Sequence, residues 1–158
     1  MPRKKTKSFK RELIPDVKYQ NVLVTKMINK IMQDGKKRLA EQLLYDAMEQ
    51  AGDQLKKDPV EIFETAIKNV APSVQVKAKR VGGATYQVPM EVRGDRKIHY
   101  AMIWIIGAAR AKGGRAFDKI LAKELMDAYN SAGDAVKKKE DTHKMAEANK
   151  AFAHFARY

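Results

Sequence analysis

Apolar residues recur at steps of three and four through most of the chain, the period of helices with one face against a core. Val22, Leu23, Met27, Ile28, Ile31 and Met32 form the first stripe, which runs to Asp34. Gly35 stops it, as a residue tolerant of positive φ commonly does. Leu39, Leu43, Leu44, Ala47, Met48 and Ala51 form the second stripe. Asp58-Pro59 is an N-cap and first-turn pair. It opens a third helix with Ile62, Phe63, Ala66, Ile67 and Val70 on its core face, and Pro72 ends it. Asp95 can cap a fourth helix, apolar almost all round from Ala101 to Ile106, a pattern that places it at the bundle centre. Gly113-Gly114 breaks it. A fifth helix carries Phe117, Ile120, Leu121, Leu125, Met126 and Tyr129, and Ser131 to Gly133 closes it. Asp134 can cap a sixth, running to about Phe155. Between Val136 and Met145 that helix is nearly all charged or polar, the pattern of one that projects or bridges to a partner.

One stretch departs from the helical period. From Val74 to Val92, two alternating runs flank Gly82-Gly83, which reads as a β-hairpin. A two-residue turn would place Lys79 opposite Tyr86 and Lys77 opposite Val88, mixing apolar and charged side chains on each face. A three-residue loop, Gly82 to Ala84, instead pairs Arg80 with Tyr86, Ala78 with Val88 and Val76 with Met90. Because side chains alternate with period two, only that register gives one apolar face, so the odd-length loop is expected. It also sets the Arg80 guanidinium where it can stack on Tyr86. The fold class expected is mainly α: a six-helix, single-domain bundle with one protruding basic hairpin between the third and fourth helices, plus a basic N-terminal extension. Residues 1–14 form the extended arm and 15–158 the helical domain, with the hairpin at about 73–92 and the projecting C-terminal helix at about 134–155.

Charge decides the class of partner. The 158 residues hold 32 Lys plus Arg against 19 Asp plus Glu, a formal net charge of +13. Such an excess attracts polyanions and steers them in from a distance. An anionic membrane fits less well: the longest apolar run, Ala101 to Ala109, falls far short of the about 20 residues a spanning helix needs. No apolar segment follows the basic N-terminus, so a secretory signal is not expected. There is no cysteine, which removes disulfides and thiolate zinc sites and fits a reducing cytosol.

The cations fall in clusters. Arg3, Lys4, Lys5, Lys7, Lys10 and Arg11 precede the first helix without an acid between them, a block expected to be disordered when free and to order against phosphates. Lys36, Lys37 and Arg38 follow Gly35, at the turn into the second helix, where backbone N–H groups and cations combine. Lys77, Lys79 and Arg80 lie on the hairpin and Arg93, Arg96 and Lys97 just after it, with only Glu91 and Asp95 to offset them locally. Lys137 to Lys139 serves equally as a solvated face or as a contact. Catalysis has little support. Glu140 and His143 share the Glu-x-x-His spacing of di-metal bundles, but that site needs the motif twice, and neither Arg96 before His99 nor Ala151 before His154 supplies it. There is no P-loop and no Gly-x-Ser-x-Gly. The chain is read as a non-enzyme that uses no cofactor or metal.

Three stretches carry a family resemblance. Met32 to Ala47 (MQDGKKRLAEQLLYDA) resembles the signature of the seventh protein of the small ribosomal subunit, bacterial type. Lys79 to Val92 (KRVGGATYQVPMEV) is similar to that family's hairpin, and Val136 to Phe155 to its C-terminal helix. The resemblance covers the chain from about Ile14 onward. It implies a primary binder of the 3′ major domain of 16S-type ribosomal RNA that nucleates assembly of the subunit head. It further implies a place near the exit-site tRNA and the mRNA exit path, beside the eleventh small-subunit protein. Carried over by motif, Lys36, Lys37, Lys77, Lys79 and Arg80 become ribosomal-RNA contacts, Gly82 and Gly83 shape the hairpin tip, and Lys144, Asn149 and Lys150 face tRNA or a neighbouring protein. The pattern departs from the family at Gly94-Asp95, where the family usually continues with Pro, and at Ile103, where an arginine commonly stands.

The expected mechanism is binding without chemistry. Cations neutralise phosphates and release counterions, so affinity falls with salt. RNA is then recognised by shape and backbone, because an A-form major groove is too deep and narrow for side chains to read. The protein is expected to be monomeric when free, with no membrane partner, and cytoplasmic within the ribosome. The rival reading is an architectural DNA-binding protein that uses the hairpin as a basic β-ribbon.

Overall fold

A computed structural model describes residues 13–157 and contains α1 (Val22–Ile31), α2 (Lys37–Leu55), α3 (Pro59–Val70), β1 (Val74–Val81), β2 (Ala84–Glu91), α4 (Asp95–Ala111), α5 (Phe117–Tyr129), α6 (Asp134–Ala148) and a C-terminal 3-10 helix (Lys150–Arg157). The basic cluster Arg3, Lys4, Lys5, Lys7, Lys10 and Arg11 lies outside the described residues.

Local chemistry sets the helix ends. Asn21 caps α1, its side-chain oxygen accepting from the Leu23 N–H at 2.8 Å. The helix stops at Ile31, and Asp34 and Gly35 then reverse the chain with φ of +52° and +72°. Asp58 caps α3 as its sequence predicts, with Pro59 in the first turn. Asp95 and Asp134 do not act as caps: each is the first helical residue, behind Gly94 and Gly133. Gly52 permits the tight α2–α3 corner, because a Cβ there would stand 2.9 Å from the Pro59 ring.

The core lies between α1, α2, α3, α4 and α5, with Phe63, Met27, Leu44, Met102, Leu121 and Leu125 fully enclosed. The centre is α5, which packs on α2, α3 and α4. The expectation that α4 holds that place is corrected. Its inner face (Ala101, Met102, Ile105, Ile106, Ala109) is buried, but Ile103 is 43% exposed and Trp104 only partly covered. An all-round apolar composition concealed a one-sided helix. Leu39, assigned to the second stripe, is likewise 51% exposed, and Ala40 is buried in its place.

The hairpin register differs from the expectation. The turn is two-residue, with both glycines at positive φ (Gly82 +57°, Gly83 +89°), the type I′ arrangement that matches strand twist. Lys79 pairs with Tyr86, Lys77 with Val88 and Arg80 with Thr85. The packed face is therefore mixed, carrying buried Gln75 and Val88 beside half-buried Lys79 and Tyr86. Tertiary partners make that mixture tolerable. Tyr100 donates to the Gln75 side-chain oxygen at 2.7 Å, and Tyr86 sits 5.1 and 5.2 Å, ring to ring, from Phe152 and Phe155. Arg80 is on the face opposite Tyr86, so the predicted stack does not form.

The sixth helix ends at Ala148, not near Phe155, with the Asn149 side chain donating to the Met145 carbonyl at 2.8 Å. Nor does it stand clear of the protein. Lys139 donates to the Asn69 carbonyl at 2.6 Å and the Ser73 N–H donates to His143 at 3.1 Å, which lays α6 along the hairpin base. The 3-10 helix then packs on β2. No helix among the described residues is long and apolar enough to cross a membrane.

Candidate nucleic-acid interface

The hairpin is held at two levels. At its base, Gln75, Val88 and Val92 are buried, and the Val92 N–H donates to the Ser73 carbonyl at 2.9 Å. Further out, Tyr86, Phe152 and Phe155 form an aromatic cluster, and the Lys79 ammonium donates to the Phe155 carbonyl at 3.0 Å. Beyond that clasp Lys77 and Arg80 are exposed on opposite faces, and the Gly82-Gly83 tip has nothing near it. Of the three hairpin cations, Lys77 and Arg80 are thus exposed to an external anion, and half-buried Lys79 has one donor engaged by the Phe155 carbonyl.

Lys36, Lys37 and Arg38 are all exposed at the start of α2. Lys36 is the N-cap residue and no side chain caps the helix, so cations and the positive end of the helix dipole coincide. Lys37 lies 3.7 Å from Glu41, a surface pair of little worth. After the hairpin, Arg93 is exposed and within 3.3 Å of Glu91, Arg96 is exposed, and Lys97 is half-buried. On the C-terminal side Lys144 and Lys150 are exposed while Asn149 caps α6. The structure brings the hairpin and the C-terminal segment together; the Lys36–Arg38 turn sits at the α1–α2 connection.

Several basic positions escape a reading of the sequence alone. Lys26 and Lys30, one turn apart on α1, line a groove with Asp95, Arg96 and His99 at the start of α4. Lys112, Arg115, Lys119 and Lys123 line a second, between α2 and α5, of about 750 Å3. The i, i+4 spacing of Lys26–Lys30 and Lys119–Lys123 is the available signal, masked by the ordinary look of single lysines on helices. Lys112 is also structural: it donates to Glu124 at 2.6 Å and lies 3.0 Å from Asp134. The Glu124 hydrogen bond, with the Asp134 carboxylate, holds its ammonium above the usual lysine range. Glu124 is fully buried, and its other oxygen accepts from the Ala135 N–H at 3.0 Å, so one carboxylate joins the α4 end, α5 and the α6 start.

Where the N-terminal segment meets the bundle, Asp16 is buried and accepts from the Lys18 and Tyr19 N–H groups, each at 3.1 Å, and from the Tyr45 hydroxyl at 2.6 Å. Burial, then the bond to Asp16, pushes the Tyr45 phenol well above its ordinary range. That network ties the chain just ahead of α1 to α2.

Residues 2–150 match the family described as ribosomal protein S7p/S5e. The chain is 58% identical to the small ribosomal subunit protein uS7 of Natranaerobius thermophilus over 146 residues, 92% of this chain and 94% of that one. It is 55% identical to the uS7 protein of Chloroflexus aggregans over 148 residues, 94% of each chain. It is 53% identical to that of Kosmotoga olearia over 152 residues, 96% of this chain and 98% of its relative.

Proposed function

The chain belongs to the ribosomal protein S7p/S5e family, and from that premise we propose that it binds the 3′ major domain of the small-subunit ribosomal RNA directly and organises the subunit head. It is a non-enzymatic protein of the small ribosomal subunit, an RNA-binding component of translation. The observation that carries the finer reading is the hairpin: a ribbon clamped at its base and by the C-terminal 3-10 helix, with Lys77 and Arg80 exposed near an unobstructed tip. A rigid ribbon reaches into folded RNA without the ordering cost of a flexible loop.

In this reading Lys36, Lys37, Arg38, Lys77, Arg80, Gly82 and Gly83 meet ribosomal RNA, as do Arg93, Arg96, Lys97 and the basic N-terminal arm. Lys79 also fastens the hairpin to the C-terminal 3-10 helix. Lys144, Asn149 and Lys150 form the face toward exit-site tRNA or the eleventh small-subunit protein, with the exiting mRNA nearby. Binding rests on phosphate neutralisation and RNA shape. The test is affinity for a 3′ major domain fragment against unrelated RNA of equal length and duplex DNA, across a salt series. Tight, fragment-selective binding at moderate salt supports the reading; equal binding to all three, lost together with salt, overturns it in favour of a generic polycation such as an architectural DNA binder.

A further inference from the structure

Between α1 and the first turns of α4 lies a groove of about 650 Å3, lined by Lys26, Asn29, Lys30, Asp95, Arg96 and His99. Its charges are unevenly matched. Asp95, its one carboxylate, is taken by Lys26, whose ammonium lies 3.1 Å away. Arg96 is exposed, with no carboxylate partner among the described residues. The Lys30 ammonium stands 2.7 Å from His99 Nδ1. An ammonium has only donors, so Nδ1 must be the acceptor, which makes the ring neutral with its proton on Nε2. Facing His99 are therefore Lys30 from α1 and Arg96 from its own helix, with the Tyr100 ring edge-on at 5.9 Å and the Lys26–Asp95 pair further along.

This arrangement is a cation pair with a third cation held in reserve. An anion seated beside Lys30 and Arg96 offsets their repulsion, which adds to the lost hydration in disfavouring the charged imidazole. The ring can then take a proton from solvent on Nδ1, give up its bond to Lys30, and leave both groups donating to the anion. We propose that the α1–α4 groove is a backbone-phosphate subsite for RNA in which His99 is a ligand that gains a proton as the phosphate enters. The proposal rests on the ribosomal-RNA reading above and adds to it a residue, a site and a proton. Lost hydration where the ring meets the groove, with Lys30 and Arg96 beside it, holds the free and largely exposed His99 below the ordinary imidazole range. A phosphate in contact raises it, and by linkage binding strengthens as pH falls through the interval between the two values. A rise of one pKa unit corresponds to about tenfold in affinity.

The experiment is binding of the full chain to the 3′ major domain fragment at several pH values from about 5.5 to 8, with calorimetry in two buffers of different ionisation enthalpy. Wild type is expected to bind about three- to tenfold tighter at pH 6 than at pH 8, with net proton uptake. His99→Gln is expected to lose most of that gain, with unchanged thermal unfolding at pH 8, while His143→Gln keeps it. The His99 ring resonance should titrate at higher pH with RNA than without. Fragment binding with equal pH slopes in wild type and His99→Gln, or a His99 titration unmoved by RNA, overturns the proposal alone. No selective binding to the fragment at any pH overturns the ribosomal-RNA reading and the proposal with it.

Discussion

The Lys79 ammonium reaches the Phe155 carbonyl oxygen across 3.0 Å, so a cation of the hairpin is a fastening between the ribbon and the C-terminal 3-10 helix. Charge near the tip and attachment of the arm are therefore separate properties, carried by neighbouring residues of opposite exposure.

Substitutions should separate them. Lys77→Ala with Arg80→Ala leaves the unfolding temperature unchanged and lowers the slope of log affinity against log salt by about 1 for each phosphate no longer neutralised. Lys79→Ala costs about 1 kcal/mol, the worth of a partly buried hydrogen bond, and speeds amide exchange in Lys150–Arg157. A double variant with an unaltered salt slope would remove the hairpin from the RNA interface.

Helix α4 gives a second contrast. Met102 is fully buried and Trp104 only partly so, its ring 5.8 Å from that of Tyr100. Met102→Ala is expected to cost about 3 kcal/mol and Trp104→Ala about 1–2 kcal/mol, below the range for a fully buried tryptophan. Denaturant unfolding of both variants checks the order, and a larger loss at Trp104 would contradict the placement of the helix.

Glu124 is the one fully buried carboxylate among the described residues. Glu124→Ala removes one of the two carboxylates on Lys112 and the acceptor of the Ala135 N–H at once. The expected cost is about 3 kcal/mol, the low end for breaking a buried ion pair, because Lys112 keeps Asp134 and some access to water. Urea unfolding measures it, and exchange protection at the start of α6 should fall most.

Acid should loosen the hairpin base. His143 accepts from the Ser73 N–H, which only an unprotonated nitrogen can do. Burial, then Lys139, holds its pKa below the ordinary imidazole range. The unfolded chain therefore takes up its proton first as pH falls, so this stability is complete above the unfolded-state pKa and is lost on descending from there to the folded one. The unfolding temperature of wild type should drop by a few degrees between about pH 7 and pH 5, and by less in His143→Gln. Identical acid slopes would show that the Ser73 bond is not what senses the proton.

Helix existence, the Asp58-Pro59 start, the site of the hairpin and its basic character are legible in the sequence because each rests on local chemistry: period, cap, turn glycines and charge. The register is not, because it depends on what the ribbon leans on. A mixed face carrying Lys79 and Gln75 looks unpackable until Phe155 and Tyr100, 76 and 25 residues away in the chain, provide partners. Ile103 and Leu39 look like core in the sequence because hydrophobicity reports what a residue tolerates rather than which way it points. The α1–α4 groove is invisible there for a related reason. Lys30 and His99 are 69 residues apart, and neither is unusual until the fold sets them 2.7 Å from each other.

The hairpin tip makes a demand of handedness and not of room. Gly82 and Gly83 hold φ of +57° and +89°, with nothing within 4 Å of the place where a Cβ would stand. An L-alanine at either position fits the space but strains the backbone, whereas its mirror image adopts that backbone at ease and narrows the unfolded chain's freedom. Two semisynthetic proteins that differ only in the chirality of one carbon would thus share composition, charge and reach. Any difference between them in RNA affinity would report how much of binding depends on the ribbon being shaped before the RNA arrives.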